Sequence, residues 1–134
     1  MNVKDVYSAL RQDLAAMPGV PAIAYENVEF LSDGQPYLKI NILPAPIVTP
    51  MFGINAQQRY EGIFQVMVLY PLGSGTKEID TMVDALLTHF RRGFTLPYNG
   101  ISVLTLKSWR GPGMELDAYY QIPISVQFQS YLTP

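Results

Sequence analysis

The spacing of apolar residues switches repeatedly between a helical and a strand period along this chain. In VKDVYSALRQDLAAMPG, Val3, Val6, Tyr7, Leu10 and Leu14 recur at three- and four-residue steps, which predicts a helix with one apolar stripe. Asn2 is placed to cap its start and Pro18–Gly19 to stop it. Ile23–Asn27 reads as a short strand. PYLKINI then alternates strictly, with Leu38, Ile40 and Ile42 on one face and Tyr37, Lys39 and Asn41 on the other, the pattern of a half-buried strand. Further on, Tyr60, Phe64, Val66, Val68 and Tyr70 share a face, while Ile63, Met67 and Leu69 make the opposite face apolar too. That predicts a central strand covered on both sides. Gly62 within it marks a bulge or a close backbone approach.

A second helix follows the turn PLGSGT. Ile79, Met82, Val83, Leu86, Leu87 and Phe90 form its apolar stripe. Glu78 and Asp80 fall in its first turn and Arg91 and Arg92 in its last, each sign matched to the helix dipole, with Gly93 as a left-handed stop. ISVLTLKSW places Leu104 and Leu106 opposite Val103, Thr105 and Lys107. After RGPG, Tyr120, Ile122, Ile124, Val126 and Phe128 alternate with Tyr119, Gln121, Ser125, Gln127 and Gln129. Pro123 has no N–H to give a ladder, which predicts that this strand lies at an edge or carries a bulge. The order α-β-β-β-α-β-β predicts an α+β fold: two helices packed on one face of a largely antiparallel (mixed) sheet of four to five strands, in one domain over residues 1–134.

Between the strands, residues 43–58 (LPAPIVTPMFGINAQQ) keep no period, and their prolines oppose both helix and sheet pairing. Ile47, Val48, Met51, Phe52 and Ile54 are nevertheless too apolar for an ordinary solvated loop. The segment reads as a flexible, Pro-rich arm that orders against a partner. Composition points the same way. Charged residues make up 15% of the chain, against about 25% in an ordinary soluble domain, and 49% is hydrophobic. So few charges suit a small domain whose surface is partly covered by other subunits, a tyrosine-rich monomer being the alternative.

The net charge of −2 argues against a specific nucleic-acid binder. The absence of cysteine excludes thiolate metal sites and disulfides. Charges at Lys4, Asp5, Arg11 and Asp13 oppose a signal peptide, and no apolar run approaches the roughly 20 residues of a membrane-spanning helix, so a soluble, unexported domain is expected.

The turn PLGSGTKEID has the strand–glycine–helix order of a phosphate cradle. A P-loop, however, needs a lysine and a hydroxyl directly after its last glycine, whereas Gly75 is followed by Thr76, Lys77 and Glu78. A glycine-assisted turn, capped by Ser74 or Thr76, explains it. His89 is the sole histidine, with no H-E-x-x-H around it, so a satisfied surface or interface residue is expected rather than a metal ligand. Asp80 and Asp84, one turn apart, read as a solvated helix stripe rather than an acid/base pair. No catalytic, cofactor or metal residue is expected.

The candidate contact residues are of other kinds. Trp109 and Arg110 precede GPG and are the types that dominate binding energy, although a plain hairpin connection is the alternative. Gln127 and Gln129 lie on a Gln/Ser face that suits a wet, uncharged interface. Arg59 begins the central strand where the arm ends. It suits a two-bond pair with a neighbour's carboxylate, or is simply an exposed strand-end charge.

IAYENVEF, GQPYLKINILPAP and RYEGIFQVMVLYPLGSGTKEIDTMVDALLTHF together resemble the tail terminator (tail completion) family of long-tailed bacteriophages and prophages. The resemblance covers roughly residues 22–92 and rests on Glu26, Asn27, Pro36–Leu38, Pro44, Pro46, Arg59, Gly62, Pro71, Gly73 and Gly75. It implies a structural protein of the virion tail, assembled in the host cytoplasm, that forms a homohexameric ring on the finished tail tube. Such a ring ends polymerisation of the major tail tube protein and meets the head–tail connector protein, without cofactor or catalysis. The alternative is a non-phage adaptor module that binds an extended peptide at a sheet edge.

Overall fold

The structure, a computed structural model, describes residues 3–46, 58–73 and 75–132. Ile47, Val48, Met51, Phe52 and Ile54 of the expected arm lie outside the described residues. Helix α1 spans Val3–Ala16, and the apolar stripe read from its sequence places Val6, Leu10 and Leu14 at 0% exposure. Strands β1 (Ala22–Ala24), β2 (Tyr37–Pro44) and β3 (Gln58–Pro71) follow, then helix α2 (Lys77–His89). The chain continues through β4 (Thr95–Tyr98), β5 (Ile101–Arg110), β6 (Met114–Leu116) and β7 (Tyr119–Leu132). None of the described helices is long and apolar enough to cross a membrane.

Among the described residues, all seven strands join one curled, half-barrel sheet ordered β1-β2-β3-β7-β5-β4, with β6 pairing β7. This overturns the expected arrangement of two helices packed on one face of a four-to-five-stranded sheet: strand predominates, and the order is α-β-β-β-α-β-β-β-β. The unforeseen strands are β4 and β6. TLPY is interrupted by Pro97 and MEL is exposed throughout, so neither is long enough to show an alternation. Only their ladders to β5 and β7 make them strands. Apart from the parallel β1–β2 pair, every pairing is antiparallel.

The inner face of the sheet carries the core. Leu38, Phe64, Val66, Ile122, Val126 and Phe128 meet Leu10 and Leu14 of α1 and Ile79, Val83 and Leu86 of α2. Phe90, directly after α2, closes on Phe64 with ring centroids 5.9 Å apart. The helix ends at His89, so Arg91 and Arg92 lie beyond its last turn, not within it, and Gly93 (φ 84°) turns the chain into β4.

Two departures reshape the surface. Pro123 lies in a central strand, not at an edge, because β7 changes partner beside it. Residues Ile124–Gln129 pair with β5 and Tyr119–Gln121 with β6, so no strand faces the missing N–H. The Pro123 carbonyl instead accepts from Gly111 N at 2.8 Å. The GPG connection lies against β7 there: a Cβ on Gly111 would meet Pro123 Cγ, and one on Gly113 would run into the Tyr120 ring. Second, the β5–β7 register shifts between Thr105 and Lys107. Because side chains alternate with period two, one extra residue sends everything after it to the opposite face. Lys107 therefore does not share a face with Val103 and Thr105.

Candidate assembly surface

The face of the sheet turned away from the helices can be read row by row from the strand registers. One row runs Asn41, Gln65, Ser125, Trp109 across β2, β3, β7 and β5; the next runs Leu43, Ile63, Gln127, Lys107. Below them lie Glu61 and Gln129 with Leu104, then Arg59 beside Tyr131. These side chains are half-buried or exposed, Trp109 at 37% and Tyr131 and Leu43 at 43%. Among the described residues, the carboxamides of Asn41, Gln65, Gln127 and Gln129 have no hydrogen-bond partner. The few charges on this face are largely answered locally. Lys107 Nζ lies 5.3 Å from the Trp109 ring centroid, and Arg59 Nε lies 2.5 Å from Glu61 Oε1. That last approach is close but misaligned, so the buried Nε–H makes no hydrogen bond to a described residue.

Toward β1, residues 24–30 fold over the same face and leave a cleft of about 980 Å³ floored by Lys39, Asn41, Gln65 and Met67. The aromatic rings of Phe30 and Tyr119 approach Tyr37 within 4.9 and 5.1 Å and hold that end together. Burial there, with Tyr119 and Asp117 nearby, raises the Tyr37 phenol above its ordinary value of 10.0.

Elsewhere the candidate chemistry resolves into structure. His89 Nε2 lies 2.5 Å from Asp13 Oδ2, tying α2 to α1, with the Phe90 and Phe94 rings packed around the imidazole. No group of three metal-ligating side chains occurs among the described residues. In the turn before α2, Gly73 and Gly75 take positive φ, and Thr76 stands at the N-cap position without a side-chain cap bond. Asp80 in the first helical turn accepts from Arg110 Nη1 at 3.1 Å. Its charge, beside Glu78, leaves the helix start unsuited to an anion.

The family model described as Phage tail terminator protein matches residues 5–128. The chain belongs to the phage tail terminator family. It is thus a structural protein of the phage tail, and a component of the virion tail. One solved chain superposes with a TM-score of 0.77 at 23% identity, covering 100% of this chain and 99% of the other; at that identity the likeness shows a shared fold alone. A chain from the virion of a native gene transfer agent (GTA) particle aligns at TM-score 0.48 and 16% identity over 98% of this chain and 93% of its own, too loosely to carry an argument. A search of curated proteins found no match.

For this family member, the sheet brings Arg59, Trp109, Gln127 and Gln129 onto one face, although they are far apart in sequence. Arg110 is not with them. The bulge in β5 turns it to the helix side, opposite Ile124 and onto Asp80. Asn41 and Gln65 were not foreseen. Their signal was present, since both stand on the polar parity of alternating strands, but nothing in the sequence aligns those strands with the last one.

Proposed function

We propose that this chain forms a ring, six subunits in number, on the end of the tail tube. The ring stops addition of the major tail tube protein and offers its far side to the head–tail connector. Assembly takes place in the host cytoplasm, and the role is architectural rather than catalytic. The observation that carries this reading is the outer face of β3, β7 and β5: half-exposed, nearly free of unpaired charge, and mixed in apolar and carboxamide groups, as wet subunit interfaces are. A closed ring needs a heterologous contact, in which one patch on each subunit meets a different patch on the next. In this reading Arg59, Trp109, Gln127 and Gln129 belong to one such patch, with the 43–58 segment and Arg110 among the further contact candidates.

The test adds purified chain to polymerising tail tube protein and measures tube lengths by negative-stain electron microscopy, with sedimentation of the chain alone beside it. Shortened tubes with a ring at one end are expected, and in solution or on tubes a mass near six times 15.0 kDa. Unchanged tube lengths with bare ends would overturn the reading.

A further inference from the structure

We propose that the Tyr37 end of the cleft under residues 24–30 receives the guanidinium of Arg92 from a neighbouring copy of this chain. The proposal deepens the ring reading and rests on it. The cleft has a fixed roof. Arg11 Nη2 donates to Glu26 Oε1 at 2.8 Å at one end, and the Phe30 ring packs against Tyr37 at the other. Between them the chain turns at Asn27 (φ 56°), and Val28 N donates to Tyr25 O at 3.3 Å.

The two ends of the cleft differ in sign. Lys39 floors one end, beside Met67. At the other, the contact of Phe30 with Tyr37 brings the adjoining Glu29 into the roof, and Asp117 lies near enough to act on the Tyr37 phenol. Glu26 is already answered by Arg11, whereas Glu29 is exposed and enters no ion pair with a described residue. The floor at this end adds an unmet acceptor. Gln121 shares a row with Tyr37 and Leu69, lines the cleft and is only 8% exposed. Its Nε2 reaches no better acceptor than Met67 Sδ, at 3.7 Å, and its carbonyl oxygen meets no donor among the described residues. Such a buried group is costly until a donor is supplied. A guanidinium carries five N–H donors in a planar fork. It can serve the Glu29 carboxylate and the Gln121 carbonyl together, which the point charge of a lysine matches less well.

The chain itself carries a suitable donor. Arg91 and Arg92 are the only adjacent pair of Lys or Arg residues in the sequence. Arg91 lies over the Phe94 ring, 5.1 Å from its centroid, while Arg92 is exposed and pairs with no described acid. Both follow α2 and lead into β4, at one end of the strand order; the cleft roof follows β1, at the other end. Two different margins of the subunit thus carry opposite charge. Joining one to the other on the next copy is the heterologous contact a ring requires. The cleft floor also continues the outer face of β3 and β7, the patch already assigned to subunit contact.

Reversing the two charges separately and together tests this contact. Glu29→Arg and Arg92→Glu alter exposed side chains, so each full-length protein should keep the parent melting temperature. Each should weaken ring assembly on tail tubes about tenfold or more at equal salt. The double variant restores the pair in the opposite sense and should recover most of that loss. Single variants that assemble like the parent, or a double variant no better than either single, overturn this inference and leave the ring reading standing. Loss with Glu29→Arg but none with Arg92→Glu also overturns it, because the cation then comes from the tube or connector protein. A parent chain that assembles neither in solution nor on tubes overturns both.

Discussion

Replacing Gly62 with alanine tests whether the sheet is as tightly closed at the end of β2 as its geometry implies. A Cβ there would lie 2.8 Å from the Leu43 carbonyl oxygen and 3.0 Å from Phe128 Cζ, both inside ordinary contact distance. Neither neighbour is free to retreat. Leu43 is held in the β2–β3 ladder opposite Ile63, and two residues on Ala45 N donates to Glu61 O at 3.0 Å. Phe128 is fully buried and packs near the Tyr60 ring, 6.4 Å between centroids. Forcing a methyl into such a site costs about 1–3 kcal/mol. Against this, removing a strand glycine returns about 0.5–1 kcal/mol of backbone entropy. The clash wins, leaving a net loss of about 1–2 kcal/mol. At roughly 2.1 cal/mol/K per residue of unfolding entropy, a chain of 134 residues should then melt about 4–7 °C lower. Thermal and urea unfolding followed by circular dichroism measure this directly. Phe128→Leu in the same background should recover only part of the loss, since the carbonyl contact remains. A Gly62→Ala protein that melts at or above the parent temperature would refute the reasoning.

Other expectations are shorter. Arg59→Ala should leave the monomer's melting curve nearly unchanged, because a partly exposed pair such as Arg59–Glu61 contributes about 0–1 kcal/mol, yet it should abolish ring formation; assembly like the parent's at equal salt removes Arg59 from the interface. Lys77→Ala should shift stability by no more than about 0.5 kcal/mol, and titration calorimetry should find no ATP binding in either protein; binding lost in the variant would restore the phosphate-site reading. Burial, then the hydrogen bond shared with the Tyr7 hydroxyl, pushes the Tyr60 phenol well above 10.0, and burial also raises Tyr70 and Tyr37. The unfolded chain loses these protons near pH 10 while the folded chain keeps them, so their contribution is complete below about pH 10 and declines as pH rises beyond it. Tyr60→Phe should flatten the fall in urea midpoint from about pH 9 to 11, and an unchanged slope would contradict the assignment.

Periodicity alone determined the helices and the long strands, because each contains enough turns or alternations to define a buried side. The stripe Val6, Leu10, Leu14 and the alternation Ile122, Ile124, Val126, Phe128 are buried as their spacing requires. That the glycine turn before α2 lacks the P-loop spacing was also legible, since Thr76 stands between Gly75 and Lys77 and Glu78 follows. The family could be read from motifs in the middle of the chain, and the match over residues 5–128 bears that out. Three features required the tertiary structure. β4 and β6 are too short for any period and exist only because β5 and β7 supply their hydrogen bonds. Pro123 is tolerated in a central strand only because β5 gives way to β6 beside it, an event on another strand. The face of Arg110, finally, depends on one bulged residue between Thr105 and Lys107. Local alternation carries no record of a register shift, so only the pairing of β5 with β7 could send Trp109 outward beside Ser125 and Arg110 inward to Asp80.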